Sequence, residues 1–78
     1  MENKIGKTLE IYFLNGNKKV RSIAGYCVNE TEKAFHIEFN EGRFDKKVWL
    51  PKSQMVLEGK TEYGNFHYTA PAWLAQKF

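Results

Sequence analysis

Between Thr8 and Leu14 the chain alternates, with Leu9, Ile11 and Phe13 set between Thr8, Glu10 and Tyr12. Side chains on a β-strand point alternately to opposite faces, so this segment presents one apolar face and reads as a first strand. Asn15-Gly16-Asn17 breaks the run with the strongest short hairpin signal, Asn-Gly. Lys19 to Val28 resumes as a second strand, interrupted at Ile23-Ala24-Gly25, where a glycine predicts a bulge or sharp bend. After the polar turn Asn29–Lys33, Phe35, Ile37 and Phe39 alternate with His36 and Glu38 in the clearest half-buried strand of the chain. Asn40-Glu41-Gly42-Arg43 turns again, and Lys46 to Leu50 forms a fourth strand ended by Pro51, which cannot continue a central ladder. Met55–Leu57 and Tyr63–Thr69 are weaker strand candidates around Glu58-Gly59-Lys60. Only the end looks helical. Thr69 or Ala70 can cap, Pro71 suits a first turn, and Leu74 and Phe78 stand at i, i+4 spacing, with Trp73 expected to dock the helix.

Seventy-eight residues make one domain, spanning residues 1–78, and the pattern holds no repeat, linker or low-complexity segment. A hydrophobic fraction of 42% with 15% aromatics suits a folded chain whose bulky rings fill a small core. Strands in succession, turns roughly every ten residues and one helix over about 70–78 predict a mainly β fold. The expected architecture is a small, five- to six-stranded antiparallel barrel, SH3-like or OB-like. Within it, Val48-Trp49-Leu50, the turn Pro51-Lys52-Ser53-Gln54 and Met55-Val56 resemble the strand, 3-10 turn and strand that close SH3-type barrels. No proline-rich ligand follows, because the aromatic-rich loop motif of true SH3 domains is missing.

Catalytic chemistry finds little to work with. His36 and His67 are the only histidines and Cys27 the only thiol, and nothing in Gly25-Tyr26-Cys27-Val28 resembles an activating turn. Cys27 therefore reads as a small apolar core residue, and His36 and His67 as solvated strand positions. Cys-x-x-Cys and His-x3-His spacings are absent, as is the Lys-Ser/Thr of a phosphate loop, so neither a metal nor a cofactor is expected. The carboxylates fall in or beside turns among lysines. The expectation is a protein that is not an enzyme. A single cysteine allows no internal disulfide, and neither an apolar leader nor a run of transmembrane length occurs, which together predict a cytoplasmic protein with no membrane partner.

Binding features are better supplied. Lys18, Lys19 and Arg21 follow one turn, while Arg43, Lys46, Lys47 and Lys52 border the fourth strand. Net charge is +3, and rings such as Tyr12, Tyr26, Phe44, Trp49 and Trp73 are interleaved with the cations. Small barrels that bind single-stranded nucleic acid combine cationic grooves with rings on which bases stack. In that reading Arg21, Lys46, Lys47 and Lys52 contact phosphates, Arg43 adds charge, and Trp49 or Phe44 offers a ring. Phe44 is the most informative, because a large ring between Arg43 and Asp45 in a polar turn must dock on the barrel or on a partner.

Two segments, Trp49-Leu50-Pro51-Lys52-Ser53-Gln54 and Ala70-Pro71-Ala72-Trp73-Leu74-Ala75, together resemble short phage and mobile-element proteins of mostly unassigned function. Ala72 stands where an acidic residue is more usual in that group. The resemblance implies an accessory factor at viral nucleic acid or a nucleoprotein complex, or else an inhibitor of a host defence complex of the anti-CRISPR kind, or an adaptor. A charge of +3 argues against DNA mimicry. Homodimerisation through an unpaired strand edge is a further expectation the pattern allows.

Overall fold

The computed structural model describes residues 4–77. Strands β1 (Thr8–Asn15), β2 (Lys18–Glu30), β3 (Ala34–Glu41) and β4 (Phe44–Pro51) run as a meander. A 3-10 turn, η1 (Lys52–Gln54), leads to β5 (Val56–Lys60), and β6 (Phe66–Pro71) is followed by a 3-10 segment, η2 (Ala72–Lys77). The alternation is realised where it is clearest: Leu9, Ile11 and Phe13 on β1 and Phe35, Ile37 and Phe39 on β3 are buried in one core cluster. Both tight hairpins have two-residue connections whose first residue is a glycine at φ 65, Gly16 and Gly42. That placement matches the primed turn whose twist suits a β-hairpin.

The strands form one six-stranded sheet in the order β4-β3-β2-β1-β6-β5. Every neighbouring pair is antiparallel except β1 and β6, which run parallel from Leu9↔Phe66 to Leu14↔Pro71. The mainly β expectation stands, but two of its parts are corrected: the sheet is mixed, and it does not close into a barrel. The directions explain the opening. Following the pairings across the sheet, β4 and β5 run the same way, so a ladder between them would be parallel. Parallel neighbours need a crossover of about a dozen residues or more, whereas β4 and β5 are joined through Lys52, Ser53, Gln54 and Met55 alone. The 3-10 turn expected after Pro51 is present, with the Met55 N–H donating to the Lys52 carbonyl at 3.1 Å.

Gly25 departs from expectation as well. It makes no bulge; it takes the inward position between Ile23 and Cys27, where a Cβ would lie 2.1 Å from Ile37 Cγ2. The alternation only looks broken there because the core-facing residue has no side chain. The register shifts fall instead at Val20, Val28 and Glu58, each an extra residue opposite an uninterrupted partner strand.

The tail differs most from expectation. β6 runs through Thr69, Ala70 and Pro71, so the expected helix over 70–78 starts only at Ala72 and is a 3-10 segment. Phe78 lies outside the described residues. Docking is through Leu74, which is fully buried, while Trp73 is 49% exposed. β4 also begins at Phe44, two residues before the expected start, and it includes Pro51.

Candidate functional site

Continuing the core-facing rows of the central strands toward the two tight hairpins ends each row in a charge. On β2 the row Cys27, Gly25, Ile23 reaches Arg21; on β3 Phe35, Ile37, Phe39 reaches Glu41; on β4 Leu50, Val48 reaches Lys46. The apolar positions have run out there, and the three charges meet. Glu41 pairs with the Arg21 guanidinium through one oxygen and accepts from Lys46 Nζ at 3.2 Å through the other. Hydrogen bonding by Lys46 and the charges of Lys46 and Arg21 together hold the Glu41 carboxyl below its ordinary range. Arg21 also donates to the Ala75 carbonyl at 3.2 Å, tying η2 to this end of the core.

Phe44 is the next core-facing position of β4 beyond Lys46, opposite Glu41. No core remains for it to enter, and 70% of it is exposed. It makes no ring or cation–π contact among the described residues. Arg43 forms the hairpin connection beside it and has no ion-pair partner among the described residues. Across the sheet, Lys18 and Lys19 leave the other hairpin, and the Lys19 ammonium sits 4.5 Å from the centre of the Tyr12 ring. The hairpin end thus carries Lys18, Arg21 and Lys46 at core-facing positions with Arg43 in the turn, against Glu41, while Lys19 on Tyr12 and Asp45, which accepts from Asn40 Nδ2 at 3.0 Å, lie on the outer face.

The seven residues singled out in the sequence therefore divide. Arg21, Arg43, Phe44 and Lys46 come together at the hairpin end. Lys47 and Trp49 point to the opposite, outer face of β4, where Lys47 approaches Glu38 at 3.9 Å. Lys52 lies at the far end of β4, paired with Glu30 and 4.8 Å above the Phe35 ring. Burial alone would raise the Glu30 carboxyl, but bonds from Lys52 and the Lys4 N–H, with their charges, outweigh it and hold it low.

On the outer face Trp49 stacks on His36 with ring centres 4.2 Å apart and planes 8° apart, and Tyr26 stands nearby on β2. Both His36 and His67 are half-buried, more enclosed than solvated strand positions would be. His67 packs edge-on against Tyr12 at 4.5 Å, and its Nε2 has no hydrogen-bond partner among the described residues. Cys27 is fully buried, and burial with the nearby Glu30 charge pushes its thiol up.

Sequence reasoning missed Glu41 as the hub and the His36–Trp49 stack. Alternation could have put His36 and Trp49 on outer faces; only the β3–β4 register sets them side by side. Among the described residues no three metal-ligating side chains assemble, and no helix is long and apolar enough to cross a membrane. A shallow depression of about 180 Å³ between Leu14, Val56 and Pro71 carries no charged lining residue. No family profile, curated protein or solved structure matches the chain.

Proposed function

We propose that the protein is a small, non-catalytic binding module of phage or mobile-element type, acting in the cytoplasm on nucleic acid or a nucleoprotein complex. One observation carries this reading: two hairpins bring four cations, Lys18, Arg21, Arg43 and Lys46, to one end of the sheet against one carboxylate, Glu41, around an exposed ring. Such a concentration favours a polyanion. The Glu41 pairs do not block it, because exposed ion pairs contribute at most about 1 kcal/mol and a phosphate can take Lys46 from Glu41. The fold is best read as an opened relative of the SH3-like barrel rather than the OB type. The β4, η1, β5 sequence supports this, and the insertion of β6 between β1 and β5 is the departure from it. The test is binding of a short labelled oligonucleotide at low salt by the parent chain and by Lys18→Glu/Arg43→Glu. The reading expects binding that the charge reversal abolishes; equal binding by both would overturn it.

A second reading, a protein-binding inhibitor or adaptor directed at a host defence complex, is favoured by the outer face. Tyr26 and Trp49 are about half exposed there, around the mutually neutralising Glu38–Lys47 pair. Tyrosine and tryptophan anchor many protein interfaces. Capture of a host protein that survives nuclease treatment and is lost in Trp49→Ala would support it, and capture that nuclease abolishes would count against it.

A further inference from the structure

We infer that the hairpin end takes single-stranded rather than duplex nucleic acid, with Phe44 as the ring on which an unpaired base stacks; this rests on the nucleic-acid reading above. The position of Phe44 makes the argument. It continues the core-facing row of β4 past the point where the core ends, so its 70% exposure follows from the strand's register. An apolar ring held in water beside Arg43 and Lys46 gains most from a flat apolar partner. Duplex bases are stacked on one another and offer no face to such a ring, whereas the bases of a single strand do.

The cations are laid out for a strand. Because Val20 is an extra residue, Lys18 stands two ladder steps beyond Arg21, opposite Asn15 where Arg21 is opposite Phe13, about 7 Å at strand spacing. Arg43, Lys46, Arg21 and Lys18 therefore form a track across the two hairpins for a run of phosphates, with the ring at its β4 side. Phe44 has no donor or acceptor, and every base has a flat face, so binding is tolerant of sequence.

The experiment is fluorescence anisotropy with a labelled oligothymidylate, a single strand of mixed sequence, and a duplex of the same length, each across salt. The single strands are expected to bind alike and more tightly than the duplex. Phe44→Ala should weaken single-strand binding about fivefold or more while leaving the slope of log affinity against log salt unchanged. Arg43→Ala should lower that slope by about 0.7, the share of one phosphate on a single strand. Duplex binding as tight as single-strand binding, or parent-like affinity in Phe44→Ala, overturns the inference while leaving the nucleic-acid reading standing. Absence of binding to every probe at low salt overturns both.

Discussion

Replacing Gly25 by alanine is the sharpest test of how this core is packed. Gly25 does not have a positive φ, so an alanine meets no backbone strain there. On conformational grounds alone Gly→Ala would stabilise by about 0.4–1 kcal/mol, by restricting the unfolded chain. The structure predicts the opposite sign. The added methyl would stand 2.1 Å from Ile37 Cγ2, with the Glu38 carbonyl oxygen at 3.3 Å and Phe39 Cβ at 3.5 Å. Ile37 is fully buried, and Cγ2 is attached directly to its Cβ, so the contact is relieved only by moving Ile37 or prising β2 from β3. Overpacking of this kind costs about 1–3 kcal/mol, against a total stability of about 4–12 kcal/mol for a chain of this length. Urea unfolding reads the loss directly, and the melting temperature should fall by about 4–8 °C for each kcal/mol. A double-mutant cycle isolates the cause. In an Ile37→Ala background the clashing carbon is gone and the cost of Gly25→Ala should vanish; in Ile37→Val both γ carbons remain and it should persist. A neutral or stabilising Gly25→Ala, or an equal cost in the Ile37→Ala background, would refute the packing argument.

Three further outcomes follow from particular side chains. Leu74→Ala should destabilise by about 2–5 kcal/mol and more than Trp73→Ala, since Leu74 is fully buried and Trp73 half exposed; urea midpoints of the two variants decide the order. Glu30 titrates low in the folded state relative to its ordinary 4.5, so the unfolded chain binds the proton more readily. Its contribution is present above that value and is lost as pH falls through the folded one. Stability measured from about pH 6 down to pH 3 should decline, and Glu30→Gln should be less stable at pH 6 with a shallower acid limb; an unchanged limb would contradict the Lys52 and Lys4 contacts. The Cys27 thiol should resist a disulfide reagent in native buffer and react at the unfolding rate, because it is buried, donates to the Asn29 carbonyl at 3.2 Å and titrates above its ordinary range; rapid native labelling would disprove its burial.

Strands whose two faces differ were legible in the sequence. Leu9-Ile11-Phe13 and Phe35-Ile37-Phe39 declare their inward face because a one-residue slip would expose all three side chains. Gly16 and Gly42 declare the hairpins because those turns need a positive φ. The place of β6 was not legible. Its partner β1 lies more than fifty residues away, and nothing local distinguishes a strand that pairs parallel beside β1 from one that closes a barrel. The tail misled for a related reason: Thr69, Ala70 and Pro71 have good helix-start chemistry, yet pairing with β1 and β5 holds Thr69 and Ala70 in the sheet.

At the candidate site, the identities of Arg21, Arg43, Phe44 and Lys46 were legible, but their company was not. Lys46, Lys47 and Trp49 are near neighbours in sequence, and strand alternation sends the first to one face and the others to the opposite one. Glu41 joins Arg21, twenty residues before it, to Lys46 because the core-facing rows of three strands run out toward the same end of the sheet, Lys46 standing diagonally across from Glu41. That coincidence depends on the register of β2, β3 and β4 together. Charge counted along the chain could not reveal it.

The most direct test of the binding role is the salt dependence of affinity for a short single strand. Of the four cations proposed to line the strand's track, Arg21 and Lys46 must exchange Glu41 for phosphate, so two to four phosphates are expected to be engaged. Log affinity is then expected to fall against log salt with a slope between about −1.4 and −2.8. A slope near zero, or no binding at the lowest salt, would contradict it.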